Sequence, residues 1–135
     1  MIGRMKKKLL TILVSIIGIM VIGAAVFKVR YDTMVRRISD EIVYDVNLHE
    51  IDDGVYSGCF GDFLVSVSLD VTVSDNRIAT VEITAQHCGP GYESLETVDR
   101  ILEAQSPCVD AVSGATNSSR CIMIAVYKAL TDKDI

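Results

Sequence analysis

Residues 9–27 carry no charged side chain, and no other stretch of the 135-residue sequence restricts its own conformation so tightly. A helix crossing the hydrocarbon core of a bilayer needs about 20 such residues. In that solvent the backbone has to satisfy its polar groups internally, which a helix does. Lys6, Lys7 and Lys8 stand directly before the run and Lys28 closes it. A cleaved signal peptide is the competing reading, but its apolar core is only about 7–15 residues long. Gly23-Ala24-Ala25 has the look of a cleavage region, yet it lies inside the run, with Phe27-Lys28 close behind. The pattern therefore favours an uncleaved signal-anchor. Arg4 and Lys6–Lys8 precede the span, while Lys28, Arg30, Arg36 and Arg37 follow it. The positive-inside rule gives little margin between the two orientations. The extreme N-terminal position of the span points to an extracytoplasmic domain behind a cytoplasmic basic tail at residues 1–8.

Beyond Arg37 the only basic residues are Arg77, Arg100, Arg120, Lys128 and Lys133, and acidic residues far outnumber them. An acidic domain repels polyanions, so nucleic acid is not an expected partner. The length suits one domain plus appendages. Residues 28–49 read as a charged connector or stalk. Ile38, Ile42, Val43 and Val46 recur there at helical spacing, a stripe expected to pack on the chain's own domain rather than on a partner helix.

Residues 50–135 read as the compact part. Residues 64–73 alternate apolar and polar side chains, as does the stretch 78–84, and Ser74-Asp75-Asn76-Arg77 between them has turn composition. This predicts an antiparallel hairpin. Residues 93–105 look helical, with Leu95, Val98, Ile101 and Leu102 on one face. A last helix is expected from Thr116 or Asn117 to about Leu130, its apolar face made by Ile122, Ala125, Val126, Ala129 and Leu130. The fold class is thus α+β, a small antiparallel sheet with helices on one face, and a core of modest size.

Chemistry is concentrated in Asp110-Ala111-Val112-Ser113-Gly114-Ala115-Thr116, followed by Asn117-Ser118-Ser119. Small and hydroxyl-bearing residues stand at the start of the last helix, where unpaired amides and the helix dipole favour an anion. Gly114 permits a positive φ and close backbone approach. A phosphate joined to a hydroxyl there would meet several N–H donors and little bulk. Taken alone, the run is more often a helix cap than a site. It has neither the Gly-Lys-Ser/Thr of a P-loop nor three spaced glycines.

The same residues, Asp110, Ser113, Gly114, Ala115 and Thr116 with Ser118-Ser119 beyond, resemble the FMN-binding domain family. So do Asp53-Gly54-Val55-Tyr56-Ser57-Gly58 as an opening strand, residues 63–85 as a long hairpin, Gln86-His87-Cys88-Gly89-Pro90-Gly91 as the loop after it, and Ala104-Gln105-Ser106. The resemblance spans about residues 46–131. It implies that a flavin transferase splits FAD and joins FMN to Thr116 as a phosphoester, and that the protein carries electrons to or from a redox partner protein or a quinone. It also implies roles around that threonine. Gly114 and Ala115 clear space. Ser113, Ser118 and Ser119 either bond phosphate oxygens or cap the helix. Asp110 orients the loop or is read by the transferase with its metal ion. His87, with Gly89 and Gly91, either approaches the flavin or is a loop residue without a partner. A stand-alone enzyme is disfavoured by the chain's length. A non-redox membrane-anchored binding or sensor module with the same fold is the alternative.

Cys59, Cys88, Cys108 and Cys121 all fall in the outer domain. Four cysteines allow three pairings, and four separate thiols are the plain alternative. With no Cys-x-x-Cys pair, no metal site is expected.

Overall fold

The computed structural model describes residues 1–132. Helix α1 runs unbroken over Ile2–Asp40, so the apolar span and most of the connector are one helix. Two compact units meet within it, one ending at Thr33 and the other beginning at Met34. In the first, an 18-residue window reaches a mean hydropathy of 2.8 with none of its side chains buried, long and apolar enough to cross a membrane. Its two hydroxyls are satisfied within the helix. Thr11 donates to the Lys7 carbonyl and Ser15 to the Thr11 carbonyl, each at 2.9 Å, which suits an environment without water.

In the second unit, β1 (Gly54–Asp62), β2 (Val65–Ser74) and β3 (Arg77–His87) form an antiparallel sheet in the order β1-β2-β3. The alternation in the sequence is realised directly. Val67, Leu69, Val71 and Val73 of β2 are buried, and the residues between them are half-buried on the other face. Asp75 and Asn76 take φ of 52° and 58°, the pair of left-handed residues that closes a tight hairpin with the right twist. β1 is longer than the sequence pattern suggested and directs Tyr56, Gly58 and Phe60 at the core.

Helix α2 covers Glu96–Ala104 and α3 covers Thr116–Thr131, and α3 packs on β1 and β2. The α+β reading with helices over the sheet therefore holds. Two details differ from it. Leu95 is not a core residue: it lies at the start of α2 and is exposed, while Thr97 is buried in its place. Nor is α3 buried on one stripe only. Cys121, Met123 and Ile124 are as buried as the expected face, because Met34 and Ile38 of α1 and residues of α2 join the same core as the sheet.

The end of α1 explains why the connector stripe is not one helix. Its last carbonyls need partners, and Arg120 of α3 supplies them. The guanidinium donates to the carbonyls of Ile38 at 3.1 Å, Ser39 at 3.4 Å and Glu41 at 2.8 Å. Helix α1 stops at Asp40, leaving Ile42 exposed and Val43 and Val46 half-buried against the core. Arg120→Met should cost about 2–3 kcal/mol, since these bonds come from a charged donor. Arg120→Lys should recover only part of that, because an ammonium lacks the forked geometry. Thermal unfolding of the full chain in detergent checks both. An Arg120→Met protein as stable as the parent would contradict this assignment.

All four cysteines are free thiols. Cys121 is fully buried on α3, and burial pushes its pKa up to about 12, aided by the nearby Asp62 and opposed by Arg120. The folded protein therefore keeps a proton that the unfolded chain, with an ordinary thiol pKa, gives up. The resulting stabilisation is complete below about pH 9 and is lost as pH rises through 12. Cys121→Ala should flatten the fall in stability between pH 9 and 12 relative to the parent. An identical alkaline slope in the two proteins would refute the assignment.

Candidate functional site

The site is built on the turn into α3. Ala115 donates its N–H to the Val112 carbonyl at 3.1 Å, and Gly114 sits at the third turn position with φ of +82°. That conformation favours glycine. Space is not the constraint, because a Cβ on Gly114 would meet nothing within 4 Å. Any side chain added there would cover an otherwise open surface.

Ala115 is the N-cap of α3, and its side chain has nothing to cap with. Thr116 is the first helical residue. The start expected at Thr116 or Asn117 falls at Thr116, Ser118 and Ser119 lie inside the helix rather than at its cap, and the first-turn amides of Thr116, Asn117 and Ser118 keep no partner among the described residues. Ser113, Gly114 and Thr116 are exposed. The Thr116 hydroxyl takes part in no hydrogen bond among the described residues, so it is free to form a bond to another group.

The two following serines are used differently. Ser119 is fully buried. Its hydroxyl donates to the Ala115 carbonyl at 2.8 Å and accepts the Val112 N–H at 2.9 Å. Its remaining lone pair faces the Ser94 hydroxyl, which also bonds Thr97 at 2.8 Å. A hydroxyl has one proton and two lone pairs, so Ser119 has nothing left for a phosphate oxygen. It closes the turn instead. Ser118 is 3% exposed and lies near the Cys88 thiol. Desolvation, then Glu93, raises the pKa of Cys88, and the Ser118 hydroxyl opposes them.

Asp110 is exposed. The loop at that point is held through its backbone: Arg100 donates to the carbonyls of Asp110 at 2.9 Å and Ala111 at 3.3 Å. Glu96, one turn earlier on α2, holds the same guanidinium at 2.6 Å. Gln105 fixes the other end of this segment. Its amide accepts the Ile78 N–H at 2.8 Å and donates to the Ile78 and Leu102 carbonyls, which also occupies part of the free edge of β3. His87 is the last residue of β3, not a loop residue, and is exposed. The Ser94–Ser119 hydrogen bond joins the β3–α2 loop to the first turn of α3, so that loop and the Thr116 turn are neighbours.

Sequence reasoning missed Arg100 and Ser94, and named Gln105 without its role. The four-residue spacing of Glu96 and Arg100 on a predicted helix was the one available signal for them. Among the described residues no group of three His, Cys, Asp or Glu side chains converges.

The arrangement fits a phosphate. It offers unpaired amides at the positive end of a helix, a free hydroxyl, and an open glycine turn. Ser113, Gly114 and Thr116 lie open to solvent. A cleft of about 490 Å³ lies at the opposite end of α3, lined by Glu50, Tyr56, Leu130 and Asp132 among others. Another, of about 650 Å³, is lined by Arg100, Glu103, Cys108 and Asp110. Neither includes Thr116.

Comparison with known proteins follows the same stretch. The model of the FMN-binding domain family matches residues 65–131, which include every residue from Asp110 to Ser119. An uncharacterized protein of Treponema pallidum (strain Nichols) is 39% identical over 84 residues, covering 60% of this chain and 23% of that protein. An NADH:fumarate oxidoreductase of Klebsiella pneumoniae (strain 342) is 35% identical over 75 residues, 51% of this chain and 7% of that protein. The chain thus spans less than a quarter of either relative's length.

Proposed function

Since the chain belongs to the FMN-binding domain family through residues 65–131, we propose that it is a membrane-anchored electron-transfer flavoprotein, its FMN joined through a phosphoester to Thr116. The observation that carries this reading is the state of Thr116: exposed, unbonded, and set in the first turn of α3 beside amides that have no partner. In the attachment step a flavin transferase uses FAD. The Thr116 Oγ–phosphorus bond forms, the bond between the two phosphates of FAD breaks, AMP leaves, and the hydroxyl proton is lost. The phosphodiester left on Thr116 is an anion, which the helix N-terminus stabilises.

When bound, the flavin supplies one- and two-electron chemistry, and the protein's part is to hold it. Ser113 and the first-turn amides are the donors available to the phosphate. Arg100 and Ser119 keep the loop in shape from behind. Asp110 leaves its carboxylate outward, where a modifying enzyme can read it. The similarity to part of an NADH:fumarate oxidoreductase supports a redox setting. The partner class we assign is a redox protein or a quinone at the membrane, reached because the domain is tethered by α1. The domain lies on the extracytoplasmic side in this reading.

Co-expression with an FMN transferase tests it. Membranes run on a denaturing gel should show flavin fluorescence at the mass of the chain, and protease added to intact cells should remove that band. A dark band beside a labelled control substrate would refute flavin attachment. A fluorescent band protected until lysis would refute only the sidedness.

A further inference from the structure

The cleft of about 490 Å³ at the far end of α3 shares no residue with the Thr116 turn. It opens between the short helical turn at Leu48–Glu50, the start of β1 and the last turn of α3. At the helical rise, Leu130 lies about 21 Å along α3 from Thr116. The floor of the cleft is apolar and fixed. Leu130 is buried in the core, and Ile51 and Tyr56 pack against that core. The Tyr56 hydroxyl donates to the Asp52 carbonyl at 2.8 Å, which ties the ring to the rim. Val55, 65% exposed, adds apolar surface that nothing covers.

Among the described residues every charge around this floor is negative. Glu50, Asp52 and Asp132 line the cleft, and no described lysine or arginine does. Glu50 accepts the Asn47 amide at 2.8 Å. The carboxylates of Asp52 and Asp132 take no hydrogen bond or ion pair among the described residues. Lys128, the cation in the last turn of α3, is used elsewhere. Its ammonium stands 3.8 Å from Glu41 and over the Phe60 ring. The C-terminal end of α3 adds the negative end of its dipole to the same place. Charge of one sign along apolar walls concentrates ions of the other sign there.

We infer that this cleft binds a small organic cation, an ammonium or guanidinium group carried on an apolar body. The body lies on Ile51, Tyr56 and Leu130, and the cation meets the Asp52 and Asp132 carboxylates beside the tyrosine ring. Size decides between a small molecule and a docked protein. Pockets for small ligands run from about 300 to 1,000 Å³. A protein interface takes about 20–30 residues a side, whereas nine described residues line this cleft. A bare metal ion is the poorer occupant, because its ligands have to converge and these carboxylates do not gather into such a group. The inference is independent of flavin attachment at Thr116.

The test uses the full chain in a nonionic detergent, its tyrosine rings labelled with carbon-13 and the Tyr56 signals assigned through Tyr56→Phe. The probe is 2-phenylethylamine, a cation at neutral pH. It should shift the Tyr56 signals saturably and leave those of Tyr92, in the β3–α2 loop, in place. 2-Phenylethanol has the same body without the charge and should bind roughly fivefold more weakly or worse. Asp52→Asn combined with Asp132→Asn keeps the shape and removes the charge. Its Kd for the amine should rise about fivefold, the sum of two exposed ion pairs, and salt at about 0.5 M should weaken binding to the parent in the same direction. The comparison of amine with alcohol uses the parent alone, so it holds whether or not the double variant folds. The absence of a saturable shift at Tyr56 would overturn the inference. So would equal affinity for 2-phenylethanol, or an unchanged Kd in a folded double variant.

Discussion

Thr116→Ala should give a protein that folds as the parent does and carries no flavin after denaturation. The two halves of this expectation have separate causes. The Thr116 side chain is exposed and its hydroxyl has no partner within the described residues, so removing it breaks nothing. Alanine is also the better helix former, by up to about 0.7 kcal/mol at an interior position. Stability should be equal to the parent's or slightly higher. Attachment should be lost completely, because no other hydroxyl is equivalent. Ser119 is buried with its proton and lone pairs in use, and Ser118 is buried against Cys88. Among the described residues near it only Ser113 carries another exposed hydroxyl, and it sits before Gly114 in the turn, outside the helix. Thr116→Ser restores a hydroxyl and should restore labelling. Residual covalent flavin in Thr116→Ala would move the attachment to Ser113. Loss of folding would make the residue structural.

Gly58→Ala should lower the melting temperature by roughly 12–24 °C, corresponding to about 3 kcal/mol for a domain of this size. Helix α3 crosses β1 so closely at Gly58 that an added Cβ would run into the Ala125 carbonyl and lie 2.8 Å from the Ala129 Cβ. A flexible side chain would turn aside from such a contact, but the backbone of a buried helix has nowhere to go. Relief requires α3 to lift from the sheet, exposing Phe60, Val71 and Ala125, which are buried together. Gly54→Ala is the control in the same strand. There the nearest atoms belong to the Tyr56 ring at 3.8 Å, and the melting temperature should hold. Equal effects at the two positions, read by thermal unfolding of the full chain in detergent, would contradict this packing.

Much of this was legible because local pattern and tertiary role coincide in the hairpin. Every second residue of β2 faces the core, and Asp75-Asn76 is a turn by composition and by φ. The start of α3 was legible to within a residue for the same reason. The parts that were not legible depend on partners distant in sequence. Nothing local says that α1 ends at Asp40; Arg120, some eighty residues on, accounts for it. Ile42, Val43 and Val46 keep a helical spacing in a segment that is not helical. Leu95 fits an apolar stripe but faces solvent, because α2 begins after it.

In the candidate site the types of residue were readable and their division of labour was not. Thr116, Ser118 and Ser119 look alike in sequence. Helical geometry turns the first outward and the other two toward the β3–α2 loop, so one is free to react and two are structural. The hold of Arg100 on the Asp110 and Ala111 carbonyls was invisible for another reason: it acts on backbone atoms, which any sequence would present.

The most direct measurement is the mass of the full chain purified after co-expression with an FMN transferase, followed by fragmentation of the peptide that contains residues 110–119. Attachment at Thr116 predicts an increase equal to FMN less one water, retained through denaturation and located on Thr116. An unmodified mass, with a control substrate labelled in the same cells, would contradict it. So would the same increase located on any other residue.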